Sequence, residues 1–338
     1  MHTLKLDASS PDQLRKAAQL LKNGKTVAFP TETVYGLGAD ATNASAVHSI
    51  FLAKNRPDFN PLIVHVHTID AAWPLWDFNH LAHAPVVKKR IEKLAQAFWP
   101  GPLTLIAEKS KLISDVITGG SPKVAVRIPA LALARQLIER AGVPIVAPSA
   151  NLHTRPSPTS AQHVHLTLDG KIDAILDGGS CLLGIESTVV DVSGDEPLIL
   201  RSGAISLKQL QELLPSTQMS HGSVAERSSP GMQKKHYSPL LPSNYLCDNT
   251  TFAQVWESGD TFIVRECTAQ KLTQLFGERK SGQSEILPND AAGFAAHLYG
   301  AFYRAELIQG KSLAIEKPPM EAAWDYVLDK LTRATFKD

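Results

Sequence analysis

Cysteine is scarce in this chain. Its three cysteines, Cys181, Cys247 and Cys267, are far apart and form no CxxC pair. Isolated cysteines argue against a disulfide framework, a zinc ribbon or an iron–sulfur cluster, and they suit a reducing compartment. No apolar run reaches the ~18 residues that a membrane span needs, and the first residues contain no signal-like apolar stretch. We therefore expect a soluble, cytoplasmic protein with no membrane partner.

The chain also lacks an excess of charge and an obvious nucleophile. Its 34 Lys and Arg against 33 Asp and Glu leave a formal net charge of +1. This balance does not favour electrostatic binding of nucleic acid by the protein surface as a whole, although it allows a local basic groove. No GxSxG elbow and no other convincing nucleophile–base pairing is present. An enzyme with this sequence is therefore expected to work without a covalent intermediate on a side chain.

Length and alternation predict two α/β units. At 338 residues the chain is about twice a typical domain. Helical periodicity alternates with short apolar strand-like runs over 1–214, beginning with a helix, which predicts a mixed sheet with packed helices. Residues 215–243 are rich in Ser, Pro and Gly and lack periodicity, so they are predicted to form an interdomain linker. Residues 244–338 resume the alternation as a small α/β domain.

Two glycine-containing segments resemble nucleotide-binding loops but are interpreted as structural. Gly24–Thr26 echoes the end of a P-loop, yet it follows a predicted helix and opens a predicted strand, the reverse of what that loop requires. Gly36–Ala41 has the spacing of a dinucleotide fingerprint, but no clear acidic residue ends a second strand about 20 residues on. Neither segment predicts a nucleotide site by itself.

Two pairs of histidines, His65 with His67 and His163 with His165, would each share a face if their segments are extended. Paired histidines can bind a metal, but no carboxylate or cysteine lies nearby at ligand spacing. His67, His163 and His165 are therefore interpreted as surface or packed residues, and no protein-held metal is predicted.

Hydroxyl groups and cations follow several predicted strands. Three polar residues come directly after a strand and before two glycines, namely Thr31, Glu32 and Thr33. They form either the wall of a ligand pocket or a turn whose polar side chains bind no ligand. Lys54 and Arg56 leave a helix two residues apart in a proline-stiffened segment. Two such cations can bind a polyphosphate, or they can be a solvated helix end.

Arg127 interrupts an otherwise apolar strand, and Lys123 shares its face by the period of two. A buried guanidinium requires an anionic partner, because burying it alone is costly. Further strand ends carry Ser149 and Asn151, Ser187 and Thr188, and Arg201. Since ligand crevices in open α/β sheets lie off strand ends, these residues predict a ligand site there.

Six sequence blocks in register resemble one protein family. They are PTETVYGLGAD, the KxRP…NPLIVHV block, FWPGPLTLI, VAVRIP, PSAN and GIESTVVD. In order and spacing they closely resemble YrdC-type threonylcarbamoyl-AMP synthases over residues 10–210, and SPGMQKKHYSP at 229–239 resembles the linker of the long, two-domain members. The chain departs at Ala130–Ala132, where many relatives have His-Pro, and at Asn55, which replaces a frequent glycine. The resemblance implies a YrdC-like twisted mixed sheet with helices and a small Rossmann-like C-terminal domain.

The same resemblance implies a nucleotidyltransferase, an L-threonylcarbamoyladenylate synthase. Such enzymes join L-threonine, bicarbonate and ATP with release of pyrophosphate, the first step of threonylcarbamoyladenosine formation in tRNA. An N-carboxylate of threonine would attack the α-phosphorus, which requires placement and charge neutralisation rather than a side-chain nucleophile. Mg²⁺ would accompany ATP through phosphates and water. tRNA and the downstream threonylcarbamoyl transferase are candidate partners.

The resemblance assigns the candidate residues to two ligands. Lys54 and Arg56 would be the catalytic pair on the triphosphate. The rest of the ATP site would comprise Asn60, Ser149, Asn151, Thr159, Arg201 and Lys123, the last able to serve either anion. His236 and Tyr237 would fold over the nucleotide as a lid. Threonine would be held by Arg127, with Thr31 or Thr33, His65 and Ser187.

Two other functions stay open. One is a double-stranded-RNA or ribosome-assembly binding module, which the near-zero net charge weakens. The other is a carbamoyl-adenylate enzyme built on a similar domain, a type that carries zinc-finger cysteines and an acylphosphatase-like stretch, both absent here. Pyrophosphate release with threonine, bicarbonate or carbamoyl phosphate added in turn distinguishes them.

Overall fold

A computed structural model describes residues 2–79, 83–220, 236–241, 243–256, 260–278, 283–308 and 312–336. The chain divides into two compact units. The first unit comprises Met1–His153, Pro158–Leu182 and Glu186–Met232, and the second comprises Thr154–Ser157, Leu183–Ile185 and Gln233–Asp338. The domain limits 1–214 and 244–338 stay predictions. Most of the predicted linker, 221–235, lies outside the described residues.

The described residues of the first unit form one mixed sheet of eleven strands. The strands are β1 Leu4–Asp7, β2 Val27–Pro30, β3 Tyr35–Asp40, β4 Ile63–His65, β5 Leu103–Glu108, β6 Lys123–Arg127, β7 Ile145–Val146, β8 Ala174–Asp177, β9 Thr188–Asp191, β10 Leu198–Arg201 and β11 Gln218–Met219. Their order is β1-β8-β2-β3-β7-β4-β6-β5-β9-β10-β11. Parallel and antiparallel pairs alternate irregularly, and the predicted mixed α/β sheet is confirmed.

Helices pack on this sheet. They are α1 Pro11–Lys22, α2 Ala44–Lys54, α3 Ile69–Ala72, α4 Ala84–Phe98, α5 Asp115–Thr118, α6 Ala132–Ala141, α7 Ala161–Leu168 and α8 Leu207–Leu213, with a 3₁₀ turn at Trp73–Leu75. Local sequence sets their starts: α1 follows an extended Ser10 with proline at its first position. The Asn43 side chain accepts hydrogen bonds from the first turn of α2.

The sheet buries apolar side chains on both faces. Strand β2 shows the alternation, because Ala28 packs with one large cluster while Val27 and Phe29 pack with another. A smaller cluster comprises Ile63, Ile106, Ala125, Val189 and Leu200. Ile63 shares a face with His65, and Ala125 shares a face with Arg127, since side chains alternate along a strand. This face therefore carries both an apolar floor and the predicted site residues.

Three segments differ from the sequence prediction. The chain begins with strand β1 rather than a helix, and β1 pairs in parallel with β8. Residues 35–40 form the buried strand β3 rather than a flexible turn. A Cβ on Gly38 would lie 2.8 Å from Phe29 Cε1, so this glycine is needed for packing. His163 and His165 lie on the helix α7, not on a strand.

The second unit has its own parallel sheet. Its described strands are β12 Asn244–Cys247, β13 Thr261–Arg265, β14 Ser284–Leu287 and β15 Leu313–Glu316, in the order β12-β15-β13-β14. Its described helices are α9 Asn249–Val255, α10 Glu266–Phe276, α11 Ala291–Leu307 and α12 Asp325–Ala334, with a 3₁₀ turn at Ala322–Trp324. Every strand pair in the described part is parallel, which confirms the predicted small α/β domain.

None of the helices in the described ranges is long and apolar enough to cross a membrane.

Candidate active site

A buried ion pair between Arg127 and Glu32 forms the centre of the candidate site. Arg127 ends β6 and is 4% exposed, while Glu32 is 7% exposed in the loop between β2 and β3. Arg127 Nη2 donates to Glu32 Oε1 at 2.5 Å, and Nη1 donates to Thr33 Oγ1 at 2.9 Å. Nε donates to the carbonyl of Gly101 at 3.2 Å. The anionic partner that the sequence required is therefore Glu32, which the sequence did not assign to the ligand site.

The second oxygen of Glu32 extends this network. Oε2 accepts the backbone N–H of Ala130 at 2.9 Å. Glu32 thus connects the β2–β3 loop to the segment that leaves β6. Because the donor is a backbone group, the Ala130 departure from the family pattern leaves this contact intact.

Thr31 and Thr33 continue the network away from Arg127. Their hydroxyl groups are 2.7 Å apart, and Thr31 Oγ1 donates to the carbonyl of Val34 at 2.8 Å. Since Thr31 donates its only hydroxyl proton to the carbonyl of Val34, Thr33 is the donor to Thr31, and the donors run in one direction from guanidinium to carbonyl. The loop is therefore held in one conformation by its own hydroxyl groups.

His65 lies beside Arg127 as a neutral group. It is paired with Arg127 in the parallel register of β4 and β6, and it is 3% exposed. Its Nδ1 donates to the carbonyl of Ile63 at 3.2 Å. Burial, then the charge of Arg127 and more weakly that of Arg201, lowers the pKa of His65 from 6.5 to about 3. His65 is therefore an uncharged imidazole near two guanidinium groups at neutral pH.

Arg201, the last residue of β10, is fixed by Ser187, which directly precedes the neighbouring strand β9. Arg201 Nη2 donates to Ser187 Oγ at 3.0 Å, and its Nε donates to the carbonyl of Ser187 at 3.1 Å. Ser187 Oγ is 2.7 Å from Thr104 Oγ1 on β5. All three side chains are buried. Thr104 was missed by the sequence reasoning, although a lone hydroxyl inside the apolar run LTLIAE was the available signal.

A second group of polar residues surrounds Lys54. Lys54 ends α2 and is 1% exposed, and its ammonium donates to the carbonyl of Ser149 at 2.6 Å, to the carbonyl of Asn151 and to Asn151 Oδ1 at 3.5 Å. Burial, and to a smaller extent Arg56, lowers the pKa of Lys54 well below its ordinary value. Lys54 therefore holds the PSAN loop against the end of α2.

Asn55 lets the backbone change direction between Lys54 and Arg56 at the end of α2. Asn55 caps α2 in the left-handed region with φ of 50°. Glycine and asparagine are the residues that adopt this conformation most readily, so asparagine substitutes for the family's glycine at little cost. The reversed chain lets Arg56 Nη2 donate to the carbonyl of Pro61 at 3.1 Å.

Asn60 has a side-chain N–H donor that is not used within the described part of the protein. It is 9% exposed, and its Nδ2 has no hydrogen-bond partner among the residues that the structure describes. Buried amide groups are normally satisfied, because an unpaired one costs about 1–3 kcal/mol. Asn60 therefore has a donor available for a ligand oxygen.

The start of β3 connects the Lys54 group to the Arg127 group. Gly36 forms a β-bridge with Ser149, and Ala150 N donates to the carbonyl of Tyr35 at 2.8 Å. Tyr35 N in turn donates to the carbonyl of Pro158, next to Thr159. Thr33, the acceptor for Arg127, lies two residues before Tyr35. The strand that follows Thr33 is thus in backbone contact with the segment of Ser149 and with the residue before Thr159.

Three predicted residues have other partners or belong to the other unit. Lys123 lies at the opposite end of β6 from Arg127, and its ammonium pairs with Asp191 Oδ2 at 2.9 Å. The period of two placed both cations on one face but did not place them at one end. His236 and Tyr237 belong to the second unit, where the Tyr237 ring stacks on Tyr299 at 5.5 Å. Their lid role stays a prediction.

The site offers binding groups rather than a nucleophile or a metal cage. Burial raises the pKa of the Cys181 thiol to about 12, so this thiol stays protonated near neutral pH. Among the described residues, no group of three or more His, Cys, Asp and Glu side chains could hold a metal ion. The arrangement can therefore bind anions and orient them for reaction with each other.

Comparisons with known proteins identify one family. A family model for Sua5, YciO and YrdC proteins, described as "Telomere recombination", matches residues 19–203. A second model, described as "Threonylcarbamoyl-AMP synthase, C-terminal domain", matches residues 205–335. The chain is similar over 98–99% of its length to solved structures of Sua5 from Pyrococcus abyssi. The structure described as complexed with L-threonine has a TM-score of 0.86 and 32% identity, and 98% of that chain is covered.

Threonylcarbamoyl-AMP synthases from two organisms are among the similar sequences. The protein of P. abyssi is 45% identical over 67% of this chain and 66% of its own length. The protein of Schizosaccharomyces pombe is 44% identical over 69% of this chain and 64% of its own length. The aligned part thus spans just under two thirds of each relative.

Proposed function

The chain belongs to the family of Sua5, YciO and YrdC proteins in its long, two-domain form, and on that premise we propose that it is a threonylcarbamoyl-AMP synthase. It joins L-threonine, bicarbonate and ATP and releases pyrophosphate. The proposal rests chiefly on Arg127, a buried guanidinium with a fixed orientation beside hydroxyl groups and a neutral imidazole. The similarity to Sua5 complexed with L-threonine supports an amino-acid ligand here.

Arg127 holds the carboxylate of threonine in this proposal. A guanidinium presents several N–H groups in a planar fork, and this geometry matches a carboxylate. Glu32 and Thr33 keep the fork in one plane before the substrate arrives. Because His65 is neutral, it does not repel the ammonium group of threonine, and it offers a polar contact together with Ser187 and Thr31.

ATP occupies the neighbouring group around Lys54. Lys54 keeps the loop of Ser149 and Asn151 in place and contributes positive charge near the phosphates. Arg56 binds the triphosphate, and the Nδ2 donor of Asn60 gains an acceptor from a nucleotide oxygen. Thr159 and Arg201 complete the site. Mg²⁺ is held chiefly by the phosphates and water, because Glu32, the carboxylate of this cluster, already pairs with Arg127.

The reaction needs two bond-forming steps and no protein nucleophile. The amine of threonine and bicarbonate give an N-carboxylate with loss of water. An oxygen of this carbamate attacks the α-phosphorus, and pyrophosphate leaves with the bonding electrons. The residues contribute proximity and stabilise the charge that develops on the phosphates. Transfer of the product to tRNA by a downstream transferase, and a cytoplasmic location, belong to the same proposal.

Isotope-labelled bicarbonate tests the proposal. The protein is incubated with ATP, Mg²⁺, L-threonine and ¹³C-bicarbonate. The products are then separated, and their masses are measured by mass spectrometry. We expect a threonylcarbamoyl-AMP species that carries one ¹³C atom, together with an equal amount of pyrophosphate. Omission of threonine abolishes it, and carbamoyl phosphate does not replace bicarbonate. An unlabelled carbamoyl-AMP that forms only when carbamoyl phosphate is added would overturn the proposal in favour of the carbamoyl-adenylate alternative.

A further inference from the structure

A cavity of about 580 Å³ opens beside α4 in the first unit, and we name it the tryptophan cavity. Its lining includes His67, Trp73, Glu92, Gln96, Trp99 and Ile128. Its volume is within the range of about 300–1,000 Å³ that is usual for small-ligand pockets.

The cavity is distinct from the candidate active site, although the two are neighbours in the chain. Ile128 follows Arg127 directly, but its side chain packs with the large cluster of the opposite sheet face. The segment from Trp99 to Gly101 touches both, because Gly101 accepts from Arg127 while Trp99 lines the cavity. Neither Glu92 nor Gln96 contacts the residues around Arg127 or Lys54 in the described ranges. The active site therefore does not account for this cavity.

Fixed aromatic rings form one wall. Trp99 stacks on Trp76 with ring centroids 6.3 Å apart and planes inclined by 6°. Its indole N–H donates to the carbonyl of Leu103 at 2.7 Å, which sets the ring's orientation. Trp73 meets Trp76 edge to face at 5.9 Å. Rigid indole rings with one side already packed offer stacking area to a flat ligand at a low entropic cost.

The lining of the cavity also includes polar side chains, namely Glu92, Gln96 and His67. Glu92 and Gln96 are exposed and lie one turn apart on α4. Among the described residues, no hydrogen bond or ion pair engages either side chain, and His67 also has none. A carboxylate and an amide that line the same cavity as aromatic rings can form hydrogen bonds with the edge of a stacked ligand.

Positive charge lies near the Trp73 ring and elsewhere on α4. The ammonium of Lys88 is 5.6 Å from the centre of the Trp73 ring. Lys89 and Lys93 are exposed on the same helix. Aromatic rings for stacking combined with lysines for phosphate are the features with which proteins bind unpaired nucleotides.

We propose that the tryptophan cavity is a second ligand site that binds a guanine nucleotide. Guanine presents two adjacent N–H donors on its Watson–Crick edge, at N1 and N2, and a carboxylate accepts both. Adenine presents a donor beside an acceptor and makes only one bond to Glu92. The base stacks on the indole wall, and its phosphate lies near Lys88. A free guanine nucleotide and an unpaired guanosine of an RNA strand share this chemistry.

Tryptophan fluorescence with GMP as the probe tests the site. The chain has five tryptophans, of which Trp73, Trp76 and Trp99 belong to this cluster, so a stacked base quenches their emission. We expect saturable quenching by GMP and at least tenfold weaker binding of AMP. Glu92→Gln should weaken GMP binding at least tenfold. The matched control Glu139→Gln makes the same change on the exposed face of α6 and should leave binding unchanged.

A second arm identifies the source of the base. A five-nucleotide single-stranded RNA with one central guanosine among uridines is compared with an all-uridine strand by fluorescence anisotropy. Tighter binding of the guanosine strand than of GMP indicates RNA, and the reverse order indicates a free nucleotide. If Glu92→Gln binds both GMP and the guanosine strand as tightly as the unchanged protein, or if neither probe binds, the proposal is wrong. Trp73→Leu, whose melting temperature is compared with that of the unchanged protein, gives an independent loss of quenching.

Discussion

At the scale of single residues, Arg127 depends on Glu32 for both charge balance and orientation. The two side chains are almost fully buried, and each oxygen of Glu32 accepts a separate donor. Burial also makes His65 a neutral neighbour rather than a third cation. The chemistry of the site therefore depends on residues that the ligand need not touch. The free energy of unfolding of variants at these residues measures this dependence.

Glu32→Gln removes the negative charge and leaves the guanidinium of Arg127 buried without an ionic partner. We expect the free energy of unfolding to fall by about 3–5 kcal/mol, because breaking a buried pair from one side leaves an uncompensated charge. Urea unfolding measures it. The control is Asp12→Asn, which breaks the exposed pair with Arg15 and should cost at most about 1 kcal/mol. Equal losses in the two variants would contradict this account of the pair.

His65 should give the protein a specific sensitivity to acid. Its pKa is about 3 in the fold and 6.5 ordinarily, so between these values the unfolded chain takes up a proton that the folded chain does not. The stability is fully present above pH 6.5 and is lost as the pH falls toward 3. His65→Gln should flatten the dependence of the unfolding free energy on pH in this window. The exposed His48→Gln serves as control, and an unchanged slope for His65→Gln would rule out the neutral histidine.

At the scale of elements, local signals predicted some segments well and long-range pairing decided the others. The start of α1 follows from Ser10 and Pro11, and these signals lie within one turn of the chain. Strand β1 depends on β8, which is about 170 residues away, so the short segment LKLD gave no strand signal of its own.

The candidate site likewise contains residues that sequence motifs predicted and residues that only long-range contacts reveal. The family motifs predicted Arg127, His65, Ser187 and Lys54 as site residues, and their shared ligand site stays a prediction. His65 is paired with Arg127 in register, whereas Ser187 and Lys54 each have partners of their own. Glu32 and Thr104 were missed as contacts because their partners come from other strands. Lys123 was grouped with Arg127 by periodicity, which fixes the face of a strand but not the end at which a ligand lies.

Gly38 tests the packing role of a residue that resembled part of a nucleotide-binding turn. A Cβ at this position would lie 2.8 Å from Phe29 Cε1 and 3.0 Å from Ile145 Cγ2, both in the core. We expect Gly38→Ala to lower the free energy of unfolding by about 1–3 kcal/mol through overpacking. Gly36→Ala, whose closest core contact would be 3.1 Å, is the milder control. Thermal melting ranks the two, and the opposite order would refute the packing explanation.

At the scale of the whole molecule, the second unit is assembled from distant parts of the chain. It includes Thr154–Ser157 and Leu183–Ile185 in addition to the C-terminal segment. Within it, Tyr303 Oη donates to the carbonyl of Pro156 at 2.8 Å, and Arg155 Nη2 pairs with Glu306 at 2.5 Å. Sequence patterns could not predict this arrangement, because the two short segments have no periodicity of their own.

The Arg155–Glu306 pair should therefore stabilise the second unit. Both side chains are largely buried, at 10% and 16% exposure, whereas Arg304 in its pair with Glu285 is 50% exposed. We expect Arg155→Gln to cost about 3 kcal/mol and Arg304→Gln about 1 kcal/mol or less. Chemical denaturation followed by circular dichroism compares the two variants. A larger loss for Arg304→Gln would show that the 154–157 segment does not contribute as proposed.

The central claim is that the guanidinium fork of Arg127 holds the amino-acid substrate while a neighbouring group holds ATP. The most direct measurement is the rate of pyrophosphate release as a function of threonine and of ATP concentration, in the unchanged protein and in Arg127→Lys. Lysine keeps the charge but loses the planar fork. The account predicts a KM for threonine that rises at least tenfold while the KM for ATP stays within about twofold. A KM for threonine that does not change, or a rise confined to ATP, would contradict it.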